Sequence, residues 1–312
     1  MNTVLLALAP VVVFTVLGWV AGRRGWLTPA RVKRVSNLVF VGLTPPLLFR
    51  TMSGVRLEQI DFRPLAAYFG AVALIFFGTL VFAGFTRRGA VLALANTFSN
   101  TVMMGIPMVG IAYGQAGLVI LLTLVSVHGL IILTTATIVL EVALLKELGS
   151  DSNFRERHVG HTILLAVRNS LLHPVPLPIL AGLAFAQSGA TLPWGVDKLL
   201  QACGLLFAPL ALMLVGSSLA ATRIGTLWRP ALAIAGLKNL LHPVLVAAIG
   251  WAMGLHGLPF AVMVLAASLP VGANVFLFSQ RYQVAQDVVT ASVAMSAVIG
   301  LATVPAVMVF LQ

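Results

Sequence analysis

Asn96, Ser99, Asn100 and Thr101 lead into Gly105-Ile106-Pro107, and Ser268 leads through Pro270 and Gly272 to Asn274. Both clusters set amides and hydroxyls beside a glycine and a proline in the middle of an apolar run. Proline withholds a backbone donor and frees an upstream carbonyl, and a group freed at membrane depth is tolerated only against protein or a water-filled cavity. Two broken apolar helices therefore imply a polar solute site near the bilayer midplane, where half-helix N-termini present partial positive charge to an anion. On that chemistry Asn100 and Asn274 are expected to contact the solute, with Ser99 and Asn96 beside them. Gly105, Pro107, Pro270 and Gly272 are expected to shape the crossing through backbone geometry.

Two ionisable residues sit where charge is costly. Lys238 lies about ten residues into an apolar run, and a charge at the midplane costs at least ~2.5 kcal/mol on insertion scales. It reads either as snorkelling to the interface or as a counter-charge, for a bound carboxylate or for Glu141. Glu141 is the acid well inside an apolar run, which makes it the candidate for a proton or charge relay.

Other chemistries are poorly supplied. His128, His173 and His242 fall on different runs with no spacing that converges on a metal. Val215-Gly216-Ser217-Ser218 lacks the closing glycine of a nucleophile elbow, so no catalytic residue is assigned and an intramembrane hydrolase is disfavoured. The single cysteine, Cys203, excludes an internal disulfide. No metal or cofactor is expected.

The elements that must position these residues follow from composition. With 312 residues, 60% of them hydrophobic and 9% charged, and a mean hydropathy of +1.04, the chain excludes a soluble fold. A net charge of +11 raises the question of nucleic acid, but the basic residues occupy short gaps between apolar runs, where orientation and anionic lipid headgroups explain them. The bilayer is the expected partner and nucleic acid is not; a homodimer is left open.

Windows of the length that crosses a bilayer give ten spans, at 3–22, 33–54, 64–86, 91–113, 116–145, 160–186, 196–221, 229–254, 259–280 and 287–311. The first is read as a membrane span rather than a cleaved signal, because no basic residue precedes it and Pro10 follows Ala7-Leu8-Ala9. The polar connection Lys146 to His158 divides the chain into a five-helix unit (1–145), a cytoplasmic linker (146–159) and a second five-helix unit (160–312). Arg23, Arg24, Arg31, Lys33, Arg34, Arg87, Arg88, Lys146, Arg155, Arg157, Arg223, Arg229 and Arg281 all fall on the side of the odd loops. Arg50, Arg56, Arg63 and Lys198 fall opposite. Under the positive-inside rule the odd loops are cytoplasmic and both termini lie outside the inner or plasma membrane.

The two units also repeat. A shift of about 164 positions pairs Pro10 with Pro174, Gly18 with Gly182, Gly25 with Gly189, Pro29 with Pro193, Pro45 with Pro209 and Ser53 with Ser217, and small further shifts bring Pro107 onto Pro270. An odd number of spans per unit inserts the second upside down. The fold class expected is an all-α polytopic membrane protein of two inverted five-helix repeats, with broken fourth and ninth helices crossing at a secondary-transporter site.

At these residues the chain resembles a known family. Asn100-Thr-Val-Met-Met-Gly-Ile-Pro107 with Ala112-Tyr113-Gly114, and Leu269-Pro270-Val-Gly-Ala-Asn274 running to Tyr282, are similar to the two crossovers of the auxin efflux carrier family. That family includes plant exporters and many bacterial permeases. The short connection between spans five and six departs from the long loop of the plant exporters. The resemblance implies a fold like that of the bile-acid sodium symporters, alternating access at the crossing of helices four and nine, and a small organic anion as cargo. A sodium-coupled symporter and a non-transporting sensor on the same fold stay open beside it. The crossovers offer amides, hydroxyls and freed carbonyls but no carboxylate, which disfavours tightly held sodium.

Overall fold

The structure, a computed structural model, describes residues 2–56, 61–148, 164, 168, 175–221 and 225–311. Among these, helices α1 (Asn2–Arg23), α2 (Pro29–Asn37), α3 (Thr44–Met52), α4 (Arg63–Ala83), α5 (Arg87–Thr97) and α6 (Ile106–Leu148) make up the first part. The second holds α7 (Pro176–Gln187), α8 (Trp194–Ala221), α9 (Trp228–Gly236), α10 (His242–Ala252), α11 (Gly257–Ser268), α12 (Asn274–Arg281) and α13 (Gln286–Phe310). Among the described residues, five helical stretches are long and apolar enough to cross a membrane, and shorter apolar helices lie among them. Phe77, Val81, Phe82 and Trp251 are exposed on helices that bury their other side, as a lipid-facing surface requires.

Three of the predicted spans contain a turn widened to i→i+5 hydrogen bonding, at Leu38–Leu43, Thr101–Gly105 and Leu237–Leu241. Each is followed, after one capping residue, by a proline: Pro45, Pro107 and Pro243. In each the capping N–H reaches back five residues, from Thr44 to Val39, from Ile106 to Thr101 and from His242 to Leu237. A proline ring collides with the carbonyl four residues earlier and offers that carbonyl no donor. Widening the preceding turn moves the carbonyl aside, so the helix axis continues through the proline.

This corrects the expectation that Gly105-Ile106-Pro107 is itself the break. The chain breaks upstream, at Phe98 (φ −80°, ψ 107°) to Asn100 (φ −76°, ψ 59°), and Pro107 sits in the first turn of α6. The second break contains its proline, because α11 ends at Ser268 and α12 begins at Asn274. The pairing of Pro107 with Pro270 therefore does not hold at the level of the breaks. Gly114, at φ +60°, turns the chain within α6 and separates the fourth and fifth runs where the sequence expects it.

The run expected at 160–186 is described mainly from residue 175 onward, and the linker residues 149–159 lie outside the described residues. Lys146 and Glu147 belong to α6, and Glu147 accepts from Arg87 at 2.6 Å. The two parts of the chain are packed together by small residues. Gly18 of α1 lies against the Met213 carbonyl of α8, and Gly182 of α7 lies against the Phe49 carbonyl of α3, with no room for a Cβ at either glycine. Residues 182 and 213 each follow 18 and 49 by the same 164 positions.

Candidate functional site

The two breaks meet. Ser99 and Val271 form an antiparallel bridge, closed by Asn100 N–H donating to the Pro270 carbonyl at 2.8 Å and Gly272 N–H donating to the Phe98 carbonyl at 2.9 Å. Each break thus satisfies backbone groups of the other, which resolves how irregular backbone is tolerated in an apolar interior. Glycine permits the close approach on both sides. A Cβ at Gly272 would stand 2.6 Å from the Phe98 ring, and one at Gly105 would stand 2.9 Å from a Leu269 methyl.

Beside the crossing lies a cavity of about 470 Å³, within the range of small-molecule sites. Its lining includes Asn100, Thr101, Val102 and Met103 at the start of one half-helix, and Gly272, Ala273 and Asn274 at the start of the other. The first N–H groups of a helix have no partner within it, so both half-helices turn their electropositive ends to this space. Asn100 and Asn274 are half-buried there, and among the described residues neither side-chain amide has a hydrogen-bond partner. Phe40, Phe98 and Phe278 supply apolar wall. Arg281, exposed at the end of α12, is the Lys or Arg among the described lining residues; its guanidinium lies 5.5 Å from the Tyr282 ring centroid.

Ser99 also lines the cavity and connects it to a buried polar chain. The Tyr68 hydroxyl is 2.8 Å from Ser99 Oγ and 3.2 Å from His128 Nε2, and His128 itself reaches the cavity. The Tyr68 ring also packs against His242, with centroids 5.1 Å apart. The histidines expected to be scattered therefore include two, His128 and His242, that converge on one tyrosine.

Lys238 is fully buried, and its ammonium donates to the carbonyls of Ala267 (2.6 Å) and Leu269 (2.8 Å). These are carbonyls left open where α11 ends, so the lysine Nζ closes the C-terminal, electronegative end of that half-helix. The structure gives Lys238 backbone partners that the sequence did not suggest. It does not snorkel, because its stem lies in the core, and it does not pair with Glu141, which accepts from the Tyr282 hydroxyl at 2.7 Å. Lys238 and Glu141 are not among the cavity-lining residues.

Of the remaining residues, Asn96 is buried in α5 and donates to Thr79 Oγ1 at 3.0 Å, away from the lining. Gly105 and Pro270 support the crossing without lining the cavity, whereas Gly272 does both. Ser217 donates to the Leu214 carbonyl of its own helix. Arg281 and His128 are lining residues that sequence reasoning missed. Arg281 was absorbed into the charge count of the loops; its place on the same short helix as Asn274, seven residues on, was the available signal.

Apolar helices able to cross a bilayer, broken and joined beside a cavity, define a polytopic membrane protein. A family profile described as "Membrane transport protein" matches residues 3–308. The chain is 26% identical over 292 residues to a Rhizobium meliloti protein named "Putative malonate transporter", covering 90% of this chain and 84% of the relative. It is likewise 26% identical over 247 residues to "Auxin efflux carrier component 8" of Arabidopsis thaliana, covering 67% of each. The chain belongs to the membrane transport protein family that includes the auxin efflux carriers, and it is an integral membrane transporter, not an enzyme.

Proposed function

We propose that this protein moves a small organic anion, a mono- or dicarboxylate such as malonate, malate or an aromatic acid, by alternating access at the crossing of its two broken helices. The observation that carries the reading is the convergence of both half-helix N-termini, with the free amides of Asn100 and Asn274, on one cavity. Donors and partial positive charge suit a carboxylate, and Arg281 adds a full charge able to grip it in a bidentate fork. The phenylalanine walls suit an aliphatic or aromatic body. The name of the Rhizobium relative agrees with this class.

The architecture proposed is two inverted five-helix units, 1–145 and 160–312, joined by a cytoplasmic linker. Its support is the matched contacts of Gly18 on Met213 and Gly182 on Phe49, because a two-fold axis turns one pair into the other. Arg281 and the Arg87–Glu147 pair belong to loops that the charge count makes cytoplasmic. The crossing cavity then communicates with that side. Among the described residues its lining contains no aspartate or glutamate, which favours a facilitated or proton-linked carrier over a sodium symporter.

The test is a binding screen of mono- and dicarboxylates on purified protein with and without sodium. Saturable carboxylate binding that needs no sodium supports the proposal. Binding confined to neutral or cationic solutes refutes it.

A further inference from the structure

A second cavity, of about 750 Å³, lies at the other end of the same long helix. Gln115 and Val119 of α6 line it, whereas Val125, His128 and Thr137 of α6 line the crossing cavity. Six residues separate Val119 from Val125, about 9 Å along a helix. That interval carries Leu121, Leu122 and Leu124, all fully buried. The two cavities are thus distinct, and α6 is packed into the core between their levels.

The second cavity contains a fork already holding a carboxylate. Arg50 of α3 donates through Nε to Asp197 Oδ1 at 2.7 Å and through Nη2 to Oδ2 at 3.1 Å, the bidentate geometry of carboxylate recognition. Arg56 also lines this space, so among the described lining residues Arg50, Arg56 and Asp197 sum to one excess positive charge. The side chains of Arg50 and Asp197 remain 28% and 35% exposed, so water and solutes reach the pair. A pair in that setting is weak and exchangeable.

We propose that Arg50 is a second carboxylate subsite, in a cavity separate from the crossing, and that Asp197 is its tethered placeholder. A transported carboxylate arriving in this cavity takes the fork as Asp197 releases it, and Asp197 reclaims the fork as the anion leaves. The placeholder keeps Arg50 from holding cargo too tightly to discharge. The inference rests on the anion-carrier reading above.

The test is calorimetric titration of malonate into the purified full-length protein, with and without Asn100→Ala/Asn274→Ala at the crossing. Each is combined with Asp197→Asn, Arg50→Gln or Arg50→Lys. The proposal expects Asp197→Asn to tighten malonate binding about fivefold in the crossing-deficient background, by removal of a competing exposed carboxylate. It expects Arg50→Gln to weaken that residual binding at least fivefold and Arg50→Lys to lose a smaller part. Unchanged or weaker binding in Asp197→Asn overturns it, as does residual affinity that Arg50→Gln leaves unchanged. An Asp197→Asn protein that no longer folds, by thermal melting, makes the pair a structural bolt and also overturns it. If the two asparagine replacements leave the affinity of the parent protein unchanged, the crossing-site reading fails instead, and the Arg50 comparison still decides the subsite. Absence of malonate binding by every protein in the series overturns both.

Discussion

Ser99 and Val271, 172 positions apart in the sequence, face each other across an antiparallel bridge that joins the two helix breaks. Neither break can be understood alone. Phe98 and Pro270 each offer a carbonyl that no helix uses, and the amides of Gly272 and Asn100 take them up. The bridge fixes the two half-helix N-termini beside one cavity, which is the geometry an anion carrier requires.

The glycine at this crossing should be less replaceable than its counterpart. A Cβ at Gly272 meets the Phe98 ring at 2.6 Å and the Ser99 carbonyl at 3.2 Å, whereas one at Gly105 meets the movable end of Leu269 at 2.9 Å. Gly272→Ala should therefore destabilise by about 1–3 kcal/mol, as overpacked cores do, and Gly105→Ala by clearly less. Thermal melts of the two variants in detergent check this; equal melting temperatures would show that Phe98 moves freely aside.

Lys238 and Arg281 should separate stability from affinity. Lys238→Met leaves the carbonyls of Ala267 and Leu269 without a donor in the core, at a cost of about 1–3 kcal/mol for each unsatisfied group. Arg281→Gln removes an exposed cation and should leave folding intact while weakening carboxylate binding. A melt and a titration on each variant distinguish the roles, and the reverse pattern would exchange them.

The three asparagines make a sharper comparison. Asn100→Ala or Asn274→Ala should weaken binding by about 1–3 kcal/mol through loss of a buried hydrogen bond to cargo. Asn96→Ala should leave affinity unchanged, because its amide is spent on Thr79 in the core. A titration in which Asn96→Ala weakens binding and the other two do not would move the site into α5.

Topology follows from charge counting. In a Cys203→Ala background, a cysteine at Ser152 should be shielded from an impermeant thiol reagent in intact cells and one at Gln312 should react. The opposite labelling pattern would invert the protein and exchange the sides assigned to the two cavities.

Much of this was legible in the chain because helix-breakers at membrane depth have few innocent explanations. The existence of two breaks, and the place of Ser99, Asn100, Gly272 and Asn274 beside them, could be read directly. The position of the first break could not, because Pro107 follows a widened turn that absorbs it. The motif that would have corrected this is repeated at Pro45 and Pro243, yet it becomes visible only in the hydrogen-bond pattern. The partners of Lys238 were hidden for a related reason. Its partners are backbone carbonyls thirty or so residues away, and carbonyls carry no sequence signature. Arg281 was hidden by its own plausibility as an orienting loop charge.

The most direct measurement is carboxylate flux in proteoliposomes under an imposed voltage, for the parent protein and for Asn100→Ala/Asn274→Ala. One net charge crossing the membrane is worth about 2.3 kcal/mol per 100 mV, so an uncompensated anion is driven toward the positive compartment without an ion gradient. The account predicts saturable malonate or related carboxylate flux that needs no sodium, responds to the imposed voltage or pH gradient, and is lost in the double variant. Carboxylate flux unchanged by the two replacements, or transport of neutral or cationic solutes with no carboxylate flux, would contradict it.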